Sequence, residues 1–431
     1  MRIGFLILDS NPNKEHSDNP LEYQCDAVHQ GIGYVAAFAK KHLAIRDCQL
    51  LRTSDLSDET LIDFLSQSWD VIGISFSLFA LQEVQRISEI IKSVTVAKIV
   101  VGGPEVTNSQ DEILNLCPAV DYAVYGEGEV TFCDLLNCIK SRGDFSTING
   151  LIFRDTSGQV NKNSPRGFVS NLEMFPRPDR SLFKYEYNYH SIIGTRGCPF
   201  SCTFCNSSHI WGHKYRLRRP ESVLEEIKYI SDQFGQNKLF IFQDDTFNYD
   251  KKWVLSVCRL IKPLNITWRI RGCRADLITE EIAEALATSG CIGVACGVES
   301  ANNLALRAMQ KGTKIEDIMR GVSLLQISGI TVVGNFMIGN VGDTLDSTIN
   351  SFEYASFFSQ ADFRIAYPIP HTQLFEYLKL NNLLLPEPIP IVFSNKIIGK
   401  LLFSTPEFPV IDRVEAVNLA IKAKLLHNIV F

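Results

Sequence analysis

The first third of the chain alternates short apolar runs with longer segments in which apolar residues recur every three or four positions. The apolar runs are typical of buried strands, and the amphipathic segments between them are typical of helices. Residues 1–145 are therefore predicted to form a doubly wound, Rossmann-like α/β domain with a parallel sheet and ligand-binding loops at the strand ends. We expect strands at Arg2–Leu8, Asp70–Ser75, Lys98–Pro104 and Tyr122–Glu129, and helices at Gly33–Leu43, Leu81–Ser93 and Val130–Lys140.

From residue 190 to about residue 375 the pattern becomes strand, loop, helix, repeated about six times. This repeat predicts a partial (β/α)6 barrel over residues 190–375, with its chemistry at the carboxyl ends of the strands. Residues 146–189 are rich in proline and asparagine and are predicted to be a linker, with a hairpin strand at Asn149–Arg154. Residues 376–431 are predicted to be a helical tail, with three prolines followed by an amphipathic helix at Asp412–His427. The expected barrel strands are Ser191–Gly194, Lys238–Gln243, Thr267–Arg271, Ile292–Val298, Thr331–Ile338 and Phe363–Tyr367.

Three cysteines follow the first barrel strand in the spacing Cys198-x3-Cys202-x2-Cys205. Three thiolates on one short loop can hold three irons of a [4Fe–4S] cube and leave the fourth iron open for chemistry, whereas ferredoxin clusters take four cysteines. The alternative is a zinc site, for which His209 or His213 would have to supply a fourth ligand.

This loop closely resembles the cluster loop of radical S-adenosylmethionine (SAM) enzymes, including Arg196 and Gly197 before the first cysteine and the aromatic Phe204 before the last. The resemblance implies that the open iron chelates the methionine part of SAM and that Phe204 lies in the SAM site. Reductive cleavage of SAM would then give a 5′-deoxyadenosyl radical that abstracts hydrogen from substrate.

Further members of the SAM site are implied by the resemblance at later strand ends. The acidic pair Asp244 and Asp245 would lie near the SAM amino group, and Arg274, Glu299 and Ser300 are candidates for contacts to its ribose and carboxylate. A carboxylate suits a ribose diol because it accepts two hydrogen bonds. Alternatively, the aspartates cap the following turn, and Glu299 pairs with a barrel arginine.

Other polar residues of the barrel have competing interpretations. Asp343 is expected to cap a helix, and Lys214–Arg219 is either a basic segment near SAM or a solvated charge run. His371 is a candidate acid or base, or a surface histidine. Cys273 and Cys296 are candidate hydrogen donors to a substrate radical, or buried core thiols.

The N-terminal domain carries four short motifs: Gly31-Ile-Gly-Tyr34, the strand end Ile-Gly-Ile-Ser75, Val-Gly102-Gly103-Pro104 and Tyr-Gly126-Glu127-Gly128-Glu129. With these motifs before such a loop, it looks like the cobalamin-binding domain of one branch of the radical SAM enzymes. An Asp-x-His-x-x-Gly cobalt-ligand motif is absent, since His29 has the wrong spacing. Cobalamin would therefore bind without a protein histidine on cobalt, or the domain has lost cobalamin. The resemblance implies that the cofactor is approached by Ser75, Gly102, Gly103, Gly126, Glu127 and Gly128.

Composition narrows the class of protein. The 431 residues carry a net charge of −6, so a nucleic-acid partner is not expected. There is no leader pattern and no apolar run near 18 residues, which predicts a cytoplasmic protein without a membrane partner. Most of the 12 cysteines lie in apolar segments and read as free thiols, and none follows Cys296, which argues against a C-terminal auxiliary cluster.

The sequence thus predicts an enzyme with a [4Fe–4S] cluster, SAM and cobalamin that transfers a methyl group to an unactivated carbon of a small molecule or peptide. An external low-potential electron donor of the flavodoxin or ferredoxin type is implied. The alternative is hydrogen abstraction alone, for epimerisation, dehydration or rearrangement in natural-product biosynthesis, with a vestigial N-terminal domain. A non-catalytic cluster protein that senses iron or redox state is a third possibility.

Overall fold

The computed structural model describes two compact units of the chain, Met1–Tyr187 and Asn188–Phe431. The predicted linker 146–189 is therefore grouped almost entirely with the first unit. No helix among the described residues is long and apolar enough to cross a membrane. The described residues are 1–8, 29–52, 57–76, 80–183, 189–235, 239–393, 396–423 and 425.

The first unit is built on one seven-stranded sheet with the order β2-β1-β3-β4-β5-β6-β7. The first five strands are parallel, and β6 and β7 add an antiparallel edge. The strands are β1 (Arg2–Leu8), β2 (Asp47–Arg52), β3 (Val71–Phe76), β4 (Lys98–Gly102), β5 (Tyr122–Val124), β6 (Leu151–Arg154) and β7 (Val160–Lys162). The helices are α1 (Gln30–His42), α2 (Asp58–Leu65), α3 (Leu81–Val94), α4 (Pro104–Ser109), α5 (Glu112–Leu116) and α6 (Gly128–Ser141).

Both faces of this sheet are covered by helices, which confirms the doubly wound prediction. Leu6 of β1 packs with α2 and α3 on one face, while Phe5 packs with α1 and α6 on the other. Burial on both sides explains why β1 is a continuous apolar run. The chain changes direction between β1 and β3, and ligands of such sheets bind at this switch point, beyond the carboxyl ends of the strands.

The second unit is built on a six-stranded parallel sheet in which consecutive strands are neighbours, as a partial barrel requires. Its strands are β8 (Tyr189–Ile192), β11 (Leu239–Phe242), β12 (Trp268–Cys273), β13 (Cys291–Glu299), β14 (Thr331–Ile338) and β15 (Gln360–Ile365), with a small ribbon of β9 (Thr195–Arg196) and β10 (Arg216–Leu217). The helices are α7 (Ser207–Trp211), α8 (Pro220–Phe234), α9 (Lys251–Ile261), α10 (Glu280–Thr288), α11 (Asn303–Ala308), α12 (Ile315–Ile327), α13 (Leu345–Tyr354) and α14 (Gln373–Leu380).

One face of the barrel sheet packs against these helices. Phe240, Trp268 and Val294 point to that face and belong to the largest apolar core of the unit. Since side chains alternate along a strand, their sequence neighbours point to the opposite face, which we call the inner face.

The tail contains the predicted helix, but it also contains a hairpin that was not predicted. Its first part is an antiparallel hairpin of β16 (Leu384–Phe393) and β17 (Lys396–Phe403), and α15 (Val410–Lys422) follows. Three prolines in β16 lack an amide hydrogen, and an edge strand tolerates them because one side of it is unpaired. The last predicted helical residues, 426–427, lie outside the described residues.

Candidate active site

The three cysteines lie on the loop that follows β9, and all three are half-buried. The loop begins at Gly197, whose φ of +93° favours glycine, and an added Cβ there would lie 2.0 Å from the carbonyl oxygen of Lys214. Any side chain at Gly197 would therefore push the loop away from the strand that follows it. This close approach between Gly197 and Lys214 therefore positions the start of the cysteine loop.

Two other segments hold the loop and its sulfur atoms. The hydroxyl of Thr246 donates to Cys198 Sγ at 3.1 Å, and the amide of Ser207 donates to Cys205 Sγ at 3.4 Å. Thr203 donates its amide to the carbonyl of Met309 and accepts from the amide of Leu374, both at 2.9 Å. The Ser207 donor lowers the pKa of Cys205, but burial raises that pKa more, so the net shift is upward.

The two histidines of the zinc alternative point elsewhere. The Nδ1 atom of His213 lies 3.1 Å from the carbonyl oxygen of Phe200, and the ring of His209 stacks on that of His371. Among the described residues, no three His, Cys, Asp or Glu side chains are grouped closely enough to hold one metal ion. Both histidine rings are thus engaged by groups other than the three thiols, which disfavours the zinc alternative.

Asp244 bonds the chain just before the cluster loop and Asp245 bonds the loop itself, and the bonds described for them do not cap the following turn. Asp244 Oδ1 accepts from the amides of Gly194, at 3.0 Å, and Thr195. Asp245 accepts from the amide of Gly197 at 3.3 Å and from the hydroxyl of Ser207 at 3.0 Å. Burial raises the pKa of Asp244 to about 7 and also raises the pKa of Asp245.

Glu299 pairs with a lysine, not with the arginine that the alternative interpretation considered. Lys311 Nζ lies 2.8 Å from Glu299 Oε1, and the two side chains are only 7% and 12% exposed. Glu299 has a φ of +70° and follows an irregularity in the pairing of β13 with β14. Burial lowers the pKa of Lys311, but Glu299 and Cys202 raise it more, so the net shift is upward.

Lys311 is a site residue that sequence reasoning missed. It lies in the loop after α11, twelve positions from Glu299, with no recognisable motif around it. Its backbone carbonyl also accepts from Arg274 Nη1 at 2.8 Å. The lysine thereby joins two of the predicted SAM residues.

Besides its bond to the Lys311 carbonyl, Arg274 is fixed by an ion pair and by a cation–π contact. It forms a two-pronged ion pair with Asp276, at 2.7 and 2.8 Å, and its guanidinium lies 3.9 Å from the ring centroid of Phe200 in the cluster loop. Such a cation over a ring is stabilised by the ring quadrupole. Arg274 therefore links the end of β12 to the cluster loop.

Ser300 donates its hydroxyl to Asp343 at 3.1 Å. The expectation that Asp343 caps a helix is wrong. The N-cap of α13 is Thr344, which forms a capping box with Ser347. Burial raises the pKa of Asp343 to about 7. The Ser300 hydroxyl is therefore oriented by a buried carboxyl group.

In the first unit, the predicted cobalamin residues lie together at the carboxyl ends of β3, β4 and β5. Gly103 has a φ of +110°, and an added Cβ would lie 3.0 Å from the carbonyl of Phe76 and 3.2 Å from the Ser75 hydroxyl. Gly102 ends β4, Gly126 follows β5, Glu127 precedes α6 without a side-chain cap, and Gly128 is the first residue of that helix. This edge is where a doubly wound sheet binds its ligand.

The ring of His29 is held by other residues of the first unit. Its Nδ1 accepts from the amide of Ile32 at 3.2 Å and caps α1, while Nε2 lies 3.3 Å from the Ser75 hydroxyl. Burial, with the charge of Arg52, lowers its pKa to about 4, so the ring is neutral. Both ring nitrogens are used, which agrees with a cobalt site that takes no histidine from the protein.

Comparison with known protein families identifies the family of this chain. The radical SAM superfamily model matches residues 192–355, and the B12-binding domain model matches residues 21–136. The chain belongs to the radical SAM superfamily, in the branch with a B12-binding domain.

Several relatives of this radical SAM protein are named methyltransferases. It is 29% identical to an uncharacterised methyltransferase of Pyrococcus horikoshii, over 82% of this chain and 79% of the relative. It is 26% identical to the cytidylyl-2-hydroxyethylphosphonate methyltransferase of Streptomyces wedmorensis, over 80% and 76% of the two chains. The radical SAM methyltransferase TsrM of Kitasatospora setae has the same fold, with a TM-score of 0.78 at 18% identity over 99% of this chain and 89% of that one.

Two of the proposed catalytic residues of this radical SAM protein lie in the apolar core. Cys273 and Cys296 are register partners on β12 and β13, and both belong to the cluster of apolar residues between the sheet and the helices. The pairing is irregular between Ile270 and Cys273, and this shift turns Cys273 to the helix side. The position of both thiols favours the core-thiol interpretation.

His371 fits the interpretation as a surface histidine, whereas the basic segment Lys214–Arg219 does not fit the interpretation as a solvated charge run. His371 is exposed, has a φ of +65°, and its ring lies 5.8 Å from that of His209, almost parallel. In the basic segment, Arg216 and Arg218 are buried, and Arg218 pairs with Glu226 at 2.5 Å. The segment is therefore not a solvated charge run, because its alternate residues are part of the barrel structure.

Proposed function

We propose that this protein is a cobalamin-dependent radical SAM methyltransferase that methylates an unactivated carbon of a small molecule or peptide. The observation that carries the proposal is the three-cysteine loop of a (β/α)6 barrel, held beside Lys311, Glu299 and Arg274, in a chain that also carries a B12-binding domain. Methyltransferase names among the relatives support methyl transfer over hydrogen abstraction alone.

Cys198, Cys202 and Cys205 would hold three irons of the cluster, since thiolates are the ligands that Fe–S clusters take. The cluster supplies electrons at low potential for cleavage of SAM. Glu299 is proposed to accept hydrogen bonds from the SAM ribose, with Lys311 holding one of its carboxylate oxygens. Asp244 and Asp245 are proposed to position the loop, because their oxygens bond its backbone.

The first unit is proposed to bind cobalamin, which carries the transferred methyl group when it is bound. Ser75, Gly102, Gly103, Gly126, Glu127 and Gly128 would form the backbone surface that the cofactor approaches. Gly103 fits this role because the turn has no room for a Cβ, and the absence of side chains lets a large flat ligand come close to the backbone.

The substrate is proposed to be a small molecule or peptide. In support, TsrM was solved with a tryptophan substrate, although that likeness concerns the fold alone. An external electron carrier of the flavodoxin or ferredoxin type is proposed to reduce the cluster, in the cytoplasm.

Anaerobic reconstitution with iron, sulfide and hydroxocobalamin tests the proposal. We expect one [4Fe–4S] cluster and one bound cobalamin per chain by absorption spectroscopy and metal analysis, and 5′-deoxyadenosine formation from SAM with dithionite. The matched control is the triple variant of Cys198, Cys202 and Cys205 to alanine, which should keep cobalamin and lose the cluster. A cluster without cobalamin would favour the hydrogen-abstraction alternative, and no 5′-deoxyadenosine would favour a sensor.

A further inference from the structure

The inner face of the barrel sheet carries two side-chain amides, those of Asn335 and Gln243. In β14, Phe336 packs into the core between sheet and helices, so its neighbour Asn335 points to the inner face. Gln243 follows Phe242, another residue of that core. The backbone amide of Gln243 donates to the carbonyl of Ile192 at 2.9 Å, which continues the pairing of β11 with β8 and turns the Gln243 side chain inward as well.

Neither side-chain amide forms a hydrogen bond within the described part of the protein. Both residues are half-buried, and β14 is hydrogen-bonded to a strand on each side. An amide side chain offers two N–H donors and a carbonyl oxygen with two lone pairs, and leaving these groups unpaired away from water costs free energy. A bound ligand that excludes water from the amides therefore has to replace their hydrogen bonds.

The charged side chains that the described barrel strands place on this face are engaged by other groups. They are Arg269, Arg271, Asp362 and Arg364, joined by Glu299 at the end of β13. Asp362 pairs with Arg364 at 3.0 Å, and Glu299 pairs with Lys311 at 2.8 Å. An ionic ligand group would have to compete with such partners, whereas a neutral polar group can bind an amide without breaking an ion pair.

Asn335 lies beside the ion pair of Glu299 and Lys311. Its register partner on β13 is Gly297, and a Cβ added to Gly297 would collide with Glu299 Oε1 and lie 2.9 Å from Lys311 Nζ. The ion pair thus covers Gly297, one strand away from Asn335, and neighbouring strands are about 4.8 Å apart. Glu299 itself is the register partner of Phe336, so Asn335 lies one residue deeper in the barrel. The Asn335 amide therefore borders the carboxylate that is proposed to hold the SAM ribose.

Apolar side chains share the inner face with the two amides. Ile241, Ala295, Val333 and Met337 point to this face, because each of them follows a core residue in its strand. Ligand sites in proteins are mostly apolar walls with a small number of placed polar groups, which fix the orientation of the ligand. A hydrogen bond inside such a wall is also stronger than one in water. The wall is therefore suited to a ligand that is largely apolar and carries a neutral hydrogen-bonding group.

We propose that Asn335 binds a neutral carboxamide or lactam group of the substrate and determines specificity for it. Such a group presents an N–H donor and a carbonyl oxygen side by side, and the asparagine side chain presents the matching acceptor and donor. Gln243 has the same chemistry, but β11 lies three strands from β14, roughly 14 Å along the sheet, so one such group cannot reach both. Binding at Asn335 places the group close to the proposed SAM ribose. The proposal rests on the proposed function, since it assigns a substrate class to the same barrel.

The test compares amide probes with matched ketones on the reconstituted holoenzyme with SAM and without reductant. Benzamide is paired with acetophenone and pyrrolidinone with cyclopentanone, since each ketone keeps the carbonyl acceptor and lacks the N–H donor. Binding to wild type, Asn335→Leu and Asn335→Asp is measured by ligand-detected NMR titration. At least one amide should bind wild type about tenfold more tightly than either variant, while its ketone changes less. Asn418→Leu, at an exposed asparagine of α15, should bind the probes like wild type.

Iron content and the urea unfolding midpoint show whether each variant folds, and Asn335→Asp keeps the side-chain shape if Asn335→Leu does not fold. The proposal is overturned if no amide binds wild type more tightly than its ketone, or if Gln243→Leu loses the amide and the Asn335 variants keep it. It is also overturned if the Asn335 variants lose SAM and keep the amide. Wild type that selects the amide through Asn335 but makes no 5′-deoxyadenosine under reduction would refute the proposed function and leave the amide site standing.

Discussion

Replacement of Lys311 by methionine tests the buried pair beside the cluster loop. The lysine is 2.8 Å from Glu299, and neither side chain is more than 12% exposed, so water and salt screen the pair very little. Removing one partner of a buried pair leaves an uncompensated charge and costs about 3–5 kcal/mol. We therefore expect Lys311→Met to lower the free energy of unfolding of the second unit by that amount.

Glu299 adds a further reason for a large effect. Its φ of +70° costs a glutamate of the order of 1–3 kcal/mol, which surrounding contacts have to offset. An added Cβ at Gly297 would lie 2.3 Å from Glu299 Oε1 and 2.9 Å from Lys311 Nζ, so the pair has no room to rearrange. The loss of Lys311 is thus not easily relieved by a new position of Glu299.

The assay is urea unfolding of the full chain without cofactors, followed by tryptophan fluorescence. Three of the four tryptophans, Trp211, Trp253 and Trp268, report on the second unit. Glu299→Gln and the double variant complete a mutant cycle, and Lys314→Met, an exposed lysine nearby, is the control. The double variant should be more stable than Lys311→Met.

A cost below about 1 kcal/mol for Lys311→Met, or an equal cost in the Glu299→Gln background, would refute the reasoning. The first result would mean that the pair is solvated, and the second that the two charges do not interact. With cofactors restored, the same variant should bind SAM about tenfold more weakly, since Glu299 would lose its orientation.

Three further predictions concern single residues. Asp244 has a pKa raised to about 7 from 3.8, so the folded chain keeps a proton that the unfolded chain loses above pH 4; stability should fall as pH rises from about 4 to about 8. Asp244→Asn should remove up to about 4 kcal/mol of that fall, measured as the dependence of the urea unfolding midpoint on pH. The same pH dependence in wild type and in the variant would contradict this. Gly103→Ala should lower the cobalamin content at least tenfold without changing the iron content, and equal cobalamin would remove Gly103 from the site. Cys296→Ala should keep SAM cleavage and product formation while losing about 1–2 kcal/mol of stability from the core, and a product-specific loss would restore its candidacy as hydrogen donor.

Local patterns in the sequence were sufficient for the two α/β units and the cluster loop. A buried parallel strand needs a continuous apolar run and its helix needs an amphipathic face, and both are periodic signals within one short segment. The cysteine spacing is local too, because one loop carries all three ligands. Strand β2 was not predicted, because it has no continuous apolar run. Asp47–Arg52 is half-polar and half-buried, and only its pairing with β1 makes it a strand.

Tertiary structure decided the contacts that join distant segments. Asp245 meets the cluster loop some fifty positions away in the chain, and Lys311 pairs with Glu299 although no motif surrounds it. A shift in strand pairing turned Cys273 to the helix side, which strand alternation alone does not reveal. Pairing with β17 makes a strand of the proline-rich segment Leu384–Phe393, which its own composition disfavours.

The same limit applies to the inner face of the barrel. The sequence determines that arginines alternate with apolar residues along β12, but only the curved sheet tells which side faces the helices and which faces the interior. Propensity and spacing act over a few residues, whereas the charge of a site is the sum over strands that are far apart in the chain. The sequence by itself therefore determined the fold and the cofactor chemistry, and the tertiary structure decided which residues hold them in place.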